Sequence, residues 1–330
     1  MFTLKNISIA VLFVVVILVT YQVTATQKND GNNNRDTEIV ATNAKSVDTK
    51  EEYALLNPAV TANLGKHYII NFAPLREKLV ALQSKYVART YIYFLYLNNG
   101  VWIGLNEKDK FEAASTLKIP LAMAFMKYME HGRIALDAAY TIDSTELNDK
   151  FGTLYKNGAG GLYTLGDLLK IMLEQSDNTA MNAVHDSLTR LGVDDPLADV
   201  YGELGWQELE PPAFDEKPNY SYINLKTLTN MFLALYNSTY LEPVNSQQLL
   251  SYLANTPFDD KLAAGLPNGV VVSHKIGIGG GTETFSDCGI VYALNRNYIL
   301  CAGTNGMGEK KANEFMKELS SSVYDFVIKN

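Results

Sequence analysis

The spacing of apolar positions divides the chain into stretches of different physical character. Near the N-terminus, Lys5 precedes an almost unbroken apolar run from Ile7 to Val19, which Tyr21 and Val23 prolong. The run is long for the core of a signal peptide and short of the roughly 20 residues that span a bilayer. Residues 1–26 are therefore read as a signal peptide or membrane anchor, and Val23-Thr24-Ala25 would serve for cleavage. On either reading the remainder is expected to be exported, whether periplasmic, secreted or held on the outer face of the plasma membrane. From Gln27 to Glu52, Asn, Asp, Lys, Thr and Gly dominate. Such a stretch buries too little apolar surface to offset its ordering entropy. Residues 27–65 are expected to be a polar, flexible linker, and 66–330 a folded domain.

Within that domain, Leu75, Leu79 and Leu82 fall at helical spacing, which predicts an amphipathic helix from Phe72 to Tyr86. Arg89 to Leu97 is β-branched and aromatic, and Asn98-Asn99-Gly100 separates it from a second run, Val101 to Leu105. Two strands around an Asn/Gly turn predict a hairpin. From about 116 to 265 the period is mostly helical. Strand character returns at Val270–His274, Gly289–Leu294 and Tyr298–Ala302, and a helix from Lys311 to Ile328 follows. The expected fold class is α+β: an antiparallel five-stranded sheet flanked by terminal helices, with an all-helical lobe inserted between its halves.

Composition narrows the function. The 330 residues carry a net charge of −8, which argues against a nucleic-acid partner, since that needs a basic face. The four histidines, His67, His131, His185 and His274, include no pair at metal-ligand spacing, so neither a metal nor a cofactor is expected. Cys288 and Cys301 are read as two buried free thiols in preference to a hairpin crosslink. A monomer is expected.

Three short motifs carry the chemistry. Ser115-Thr116-Leu117-Lys118 lies where a loop turns into an apolar helix. Residues three apart share a helix face, so the lysine amine can reach the serine hydroxyl. Serine is a poor nucleophile until a base takes its proton, and a desolvated lysine can be that base. The helix start adds unpaired N–H groups beside the nucleophile. Ser176-Asp177-Asn178 stands between helical segments 165–175 and 179–191; alone it reads as a helix N-cap. Lys275-Ile276-Gly277 ends a strand and leads into Ile278-Gly279-Gly280-Gly281-Thr282, whose glycines complete no dinucleotide fingerprint.

In this order and context the three motifs resemble the penicillin-recognising serine enzymes, and most of all the class A β-lactamases, whose pattern is S-x-x-K, S-D-N and K-T-G. The resemblance extends from about Lys66 to Asn330 and includes Tyr163-Thr164-Leu165-Gly166-Asp167-Leu168-Leu169 before Ser176. It implies a serine acyl-enzyme hydrolase acting on β-lactam amides. Ser115 would be the nucleophile, Lys118 its base, and Ser176 the proton relay to the leaving nitrogen. Asn178 would bind the substrate amide and order Lys118, Lys275 would hold the Lys118–Ser176 network and attract the substrate carboxylate, Gly277 would also bind substrate, and the N–H groups of Ser115 and Ile278 would form the oxyanion hole. The partner would be a small-molecule β-lactam or a peptidoglycan peptide, with membrane contact only through an uncleaved N-terminal segment.

Three departures qualify the implied activity. The stretch Gly205–Asn224 lacks the E-x-x-L-N motif whose glutamate activates the deacylating water, and Glu208, Glu210 and Glu216 stand there without the motif's other residues. Deacylation is therefore expected to be slow. Ile276 replaces the K-T-G hydroxyl, and Cys288 stands where many class A enzymes have an arginine. The substrate carboxylate would then rest on Lys275 unless Thr282, Thr284 or Lys261 helps. These departures keep two alternatives open: a penicillin-binding or D-alanyl-D-alanine peptidase-like enzyme, and a non-catalytic wall-binding domain on the same fold.

Overall fold

The computed structural model describes residues 70–204, 221–279, 283–293 and 296–330. The N-terminal apolar run, the linker, Glu208, Glu210, Glu216 and Thr282 lie outside the described residues.

The predicted hairpin forms from β1 (Arg89–Tyr96) and β2 (Trp102–Leu105), with Ile92 opposite Leu105 and Leu95 opposite Trp102. Three C-terminal strands, β7 (Val271–Ile278), β8 (Phe285–Tyr292) and β9 (Tyr298–Asn305), complete one antiparallel sheet in the order β2-β1-β9-β8-β7. The N-terminal strand β1 thus sits inside the sheet, paired with β9 along its whole length. Both faces of β1 are covered, which is why its sequence is a nearly continuous apolar run with no polar alternation.

One face receives Ile92, Phe94, Tyr96, Tyr298 and Leu300, which pack with the terminal helices α1 (Ala73–Gln83) and α8 (Glu309–Lys329) through Leu75, Leu79, Phe315 and Val323. The other face, Tyr91, Tyr93, Leu95, Ile290 and Ile299, closes on the helical lobe. There α2 (Lys118–Glu130) is the central element, buried without interruption from Lys118 to Met126. Around it stand α3 (Leu165–Glu174), α4 (Asn178–Thr189), α5 (Pro196–Glu203), α6 (Leu225–Tyr236) and α7 (Pro243–Ala254). The expected α+β layout, with an inserted helical lobe, is the one observed.

Two features differ from expectation. The lobe contains two short sheets, β3 (Phe111–Glu112) with β6 (Tyr222–Ile223) and β4 (Ala139–Thr141) with β5 (Leu162–Thr164). The first of them ties the segment before Ser115 to the start of α6. The cysteines, expected as free thiols, are bonded to each other. The reason is register. Strand β8 starts at Phe285, four residues before the predicted Gly289, so Cys288 lies inside it directly opposite Cys301.

Candidate active site

Ser115 sits in a 3-10 turn, Ala114–Leu117, that runs directly into α2 at Lys118. The turn is held by the Ala113 carbonyl, which accepts from the Thr116 amide at 3.1 Å and the Thr116 hydroxyl at 2.7 Å. Ala114 has φ 46°, a left-handed conformation that costs an L-residue about 1–2 kcal/mol. It is strained immediately before Ser115, as is Ser176 itself at φ 55°. Strain of this kind persists only where the surroundings enforce it, and it clusters at functional sites.

For Ser176 the enforcing neighbour is Asp177. Its Oδ1 accepts the Ala180 amide at 3.0 Å and so caps α4. Its Oδ2 accepts the amides of Thr153 and Leu154 at 2.7 and 2.8 Å. The cap reading of Ser176-Asp177-Asn178 therefore holds for the middle residue, and the cap aims its two neighbours into the cleft. Gly152 completes the junction. At φ 92°, a Cβ on it would come within 2.1 Å of Asp177 Oδ2, so only glycine lets the 150s loop approach the carboxylate this closely.

Lys118 is 1% exposed, and its Nζ lies 2.7 Å from Ser115 Oγ, 2.8 Å from Asn178 Oδ1 and 3.4 Å from Ser176 Oγ. On the far side of Ser176, Lys275 Nζ donates to Ser176 Oγ at 2.7 Å. The structure thus brings together Ser115, Lys118, Ser176, Asn178 and Lys275 from a 3-10 turn, two helix starts and one strand. Asn178 is oriented from behind by Asn148, to whose Oδ1 it donates at 3.3 Å. The cleft over this network has a volume of about 440 Å³, and Glu112, Lys150, Phe151, Met181, Ile276 and Ile278 complete its walls.

Burial shapes the electrostatics. Desolvation pulls the Lys118 amine down from 10.5 to about 8, with the Asp177 carboxylate opposing. The base form is the neutral amine, so the depression raises its population near neutrality. If Lys118 serves Ser115 as a general base, acylation of Ser115 would climb roughly tenfold per pH unit below about 8 and level off above it. A stopped-flow pH profile checks this, and a flat profile from pH 6 to 9 counts against Lys118 as the base. Lys275 is also driven well below the ordinary lysine value, first by its burial and then by the Lys118 charge, while Asp287 pulls it back up. Asp287 is itself held by His274 Nδ1 at 2.8 Å and by the Leu262 amide at 3.1 Å. An incoming carboxylate would restore the Lys275 charge.

Gly277 has a steric role. A Cβ there would meet Ser286 Oγ at 2.5 Å, the Ala113 carbonyl at 3.0 Å and Thr116 Cγ2 at 3.2 Å. Strand β7 can lie against the serine-bearing turn only because this position is bare, and Ile278, the next residue, lines the same cleft as Ser115. Gly277→Ala is expected to slow acylation about 10²-fold by displacing one wall of the cleft from the other. Rates within twofold of the parent would show that the contact is slack.

Some sequence expectations are corrected. Lys261 does not reach the cleft: it is buried between Asp260 at 3.1 Å and Glu309 at 3.6 Å. Thr284, by contrast, is buried just past the Ile278 end of β7, the end that borders the cleft, and its carbonyl accepts the Gly279 amide at 2.8 Å. Glu112, Lys150, Phe151 and Met181 were not foreseen as lining residues. For Glu112 the available signal was its place three residues before Ser115.

A model described as the β-lactamase enzyme family matches residues 74–327. Among relatives, a β-lactamase of Phocaeicola vulgatus is 24% identical over 259 residues, covering 70% of this chain and 78% of that one. A β-lactamase of Proteus vulgaris is 26% identical over 246 residues, covering 73% and 79%. Among solved structures, PBP-A superposes with a TM-score of 0.68 at 26% identity, over 78% of this chain and 97% of PBP-A. A class A ancestral β-lactamase superposes with a TM-score of 0.67 at 22% identity and shares the fold. The chain belongs to the β-lactamase enzyme family and has the class A β-lactamase fold.

Proposed function

We propose that the chain is a serine acyl-enzyme hydrolase acting on β-lactam amides. The observation that carries this reading is the 2.7 Å approach of the buried Lys118 amine to Ser115 Oγ. Neutral Lys118 takes the serine proton while Oγ attacks the lactam carbonyl. The oxyanion forms against the N–H groups of Ser115 and Ile278. The C–N bond then breaks, and the leaving nitrogen receives a proton through Ser176, which bridges Lys118 and Lys275. Asn178 orders Lys118 and offers its amide to the substrate, while Lys275 meets the substrate carboxylate. Water then cleaves the ester and regenerates Ser115. Since no E-x-x-L-N glutamate accompanies the site in sequence, this last step is the slow one. The site operates outside the cytoplasm, where the N-terminal apolar run would deliver it.

A penicillin-binding, D-alanyl peptidase-like role is the second reading. Support comes from that missing motif and from the similarity to PBP-A, a variant of which is known as an acyl-enzyme complex with penicillin G. The non-catalytic reading has least support, because all five polar groups are linked in one hydrogen-bonded chain through Lys118 and Ser176. Hydrolysis of a chromogenic cephalosporin by the purified domain is the test. A stoichiometric burst followed by slow turnover is expected. Neither burst nor turnover from folded protein would reject the acyl-enzyme reading, and a burst that never recovers would favour the peptidase-like one.

A further inference from the structure

Phe111 and Ala113 are buried, and Glu112 between them is only half-buried. Extended backbone sends alternate side chains to opposite faces. Glu112 therefore points away from the core and into the cleft, whose wall it forms with Ser115, Lys118 and Ile278. The backbone is held on either side: Glu112 pairs with Tyr222 across β3 and β6, and the Ala113 amide donates to the Ser221 carbonyl at 2.8 Å. The carboxylate lies against Gly279, just past the end of β7. A Cβ at Gly279 would overlap Glu112 Oε2, so the bare glycine makes room for it. Gly279 directly follows Ile278, one of the two residues whose N–H groups receive the oxyanion in the proposed acylation. Among the described residues, Glu112 brings the only carboxylate to the cleft.

Hydrolysis of an acyl-enzyme needs a group that takes a proton from the attacking water, and the E-x-x-L-N glutamate is missing from Gly205–Asn224. The Lys118 amine is already bonded to Ser115, Ser176 and Asn178. A carboxylate accepts about four hydrogen bonds, so Glu112 can hold a water alongside its other contacts. We infer that Glu112 is the general base of deacylation. Its carboxylate takes one proton from water as the water oxygen bonds to the ester carbon. The C–Oγ bond then breaks, that proton returns to Ser115 Oγ, and the product leaves as the free acid. The assignment rests on the reading of Ser115 as the acylated nucleophile.

Penicillin G adducts on the parent, Glu112→Gln and Glu112→Ala, followed by intact mass with thermal melts alongside, separate the two half-reactions. Decay of the adduct is expected to slow about tenfold or more in both variants, while its formation slows far less. Sodium formate, a carboxylate small enough for the space left in Glu112→Ala, is expected to restore decay in proportion to its concentration. A glutamine variant whose adduct decays at the parent rate overturns the assignment. So does a slowed alanine variant that formate leaves unmoved, or a parent adduct that never decays. If no adduct forms on the parent protein, the acyl-enzyme reading itself fails, and the role of Glu112 fails with it.

Discussion

Replacing Lys118 by alanine is expected to slow acylation of Ser115 by about 10³–10⁴-fold, the upper range for loss of a positioned general base. The side chain does more than one thing. It sits 2.7 Å from Ser115 Oγ and also donates to Asn178 Oδ1 at 2.8 Å, so its removal leaves the nucleophile without a base and Asn178 without its inner partner. Lys118→Arg separates charge from basicity. The guanidinium stays protonated at any accessible pH and accepts no proton, so a loss of similar size is expected. An arginine variant within about tenfold of the parent would move the base role to another group. Single-turnover rates with penicillin G, measured alongside melting temperature, decide between these outcomes.

Asp177→Ala is expected to have the largest effect on stability, about 3–5 kcal/mol. The buried carboxylate accepts three backbone amides, from Ala180, Thr153 and Leu154. A lost cap costs about 1 kcal/mol and each buried amide left unpaired about 1–3 kcal/mol, less whatever the 150s loop recovers by relaxing. In a domain of this size that lowers the melting temperature by roughly 10 °C. Activity falls too, because the same carboxylate holds Ser176 in its strained conformation between the two lysines. Asp177→Asn keeps an oxygen acceptor and should lose less. A melting temperature within about 2 °C of the parent for the alanine variant would show that the loop amides find other partners.

The elements built on apolar repetition were legible in the sequence: the β1–β2 hairpin, the terminal helices and the order of the three motifs. What escaped lies where the chain serves the site. Strand β7 continues through Lys275, Ile276 and Gly277, and β8 begins with Phe285, Ser286 and Asp287. Both stretches break apolar alternation because Lys275 and Asp287 face polar partners in the cleft or beneath it, Ser176 and His274 respectively. A pattern-based reading therefore ended β7 and started β8 too far from the active site, and the lost register hid the Cys288–Cys301 bond. Lys261 was equally illegible as a structural residue, since Glu309 is remote in sequence and only the packing of α8 brings it near.

The central claim is that Ser115 is a nucleophile made reactive by a buried amine. Time-resolved intact mass with penicillin G, followed by peptide mapping, tests it most directly. The account predicts one adduct with the mass of the whole drug, located on Ser115, slow to decay and absent from Ser115→Ala. No adduct on the folded parent protein, or one that survives in the alanine variant, would contradict it.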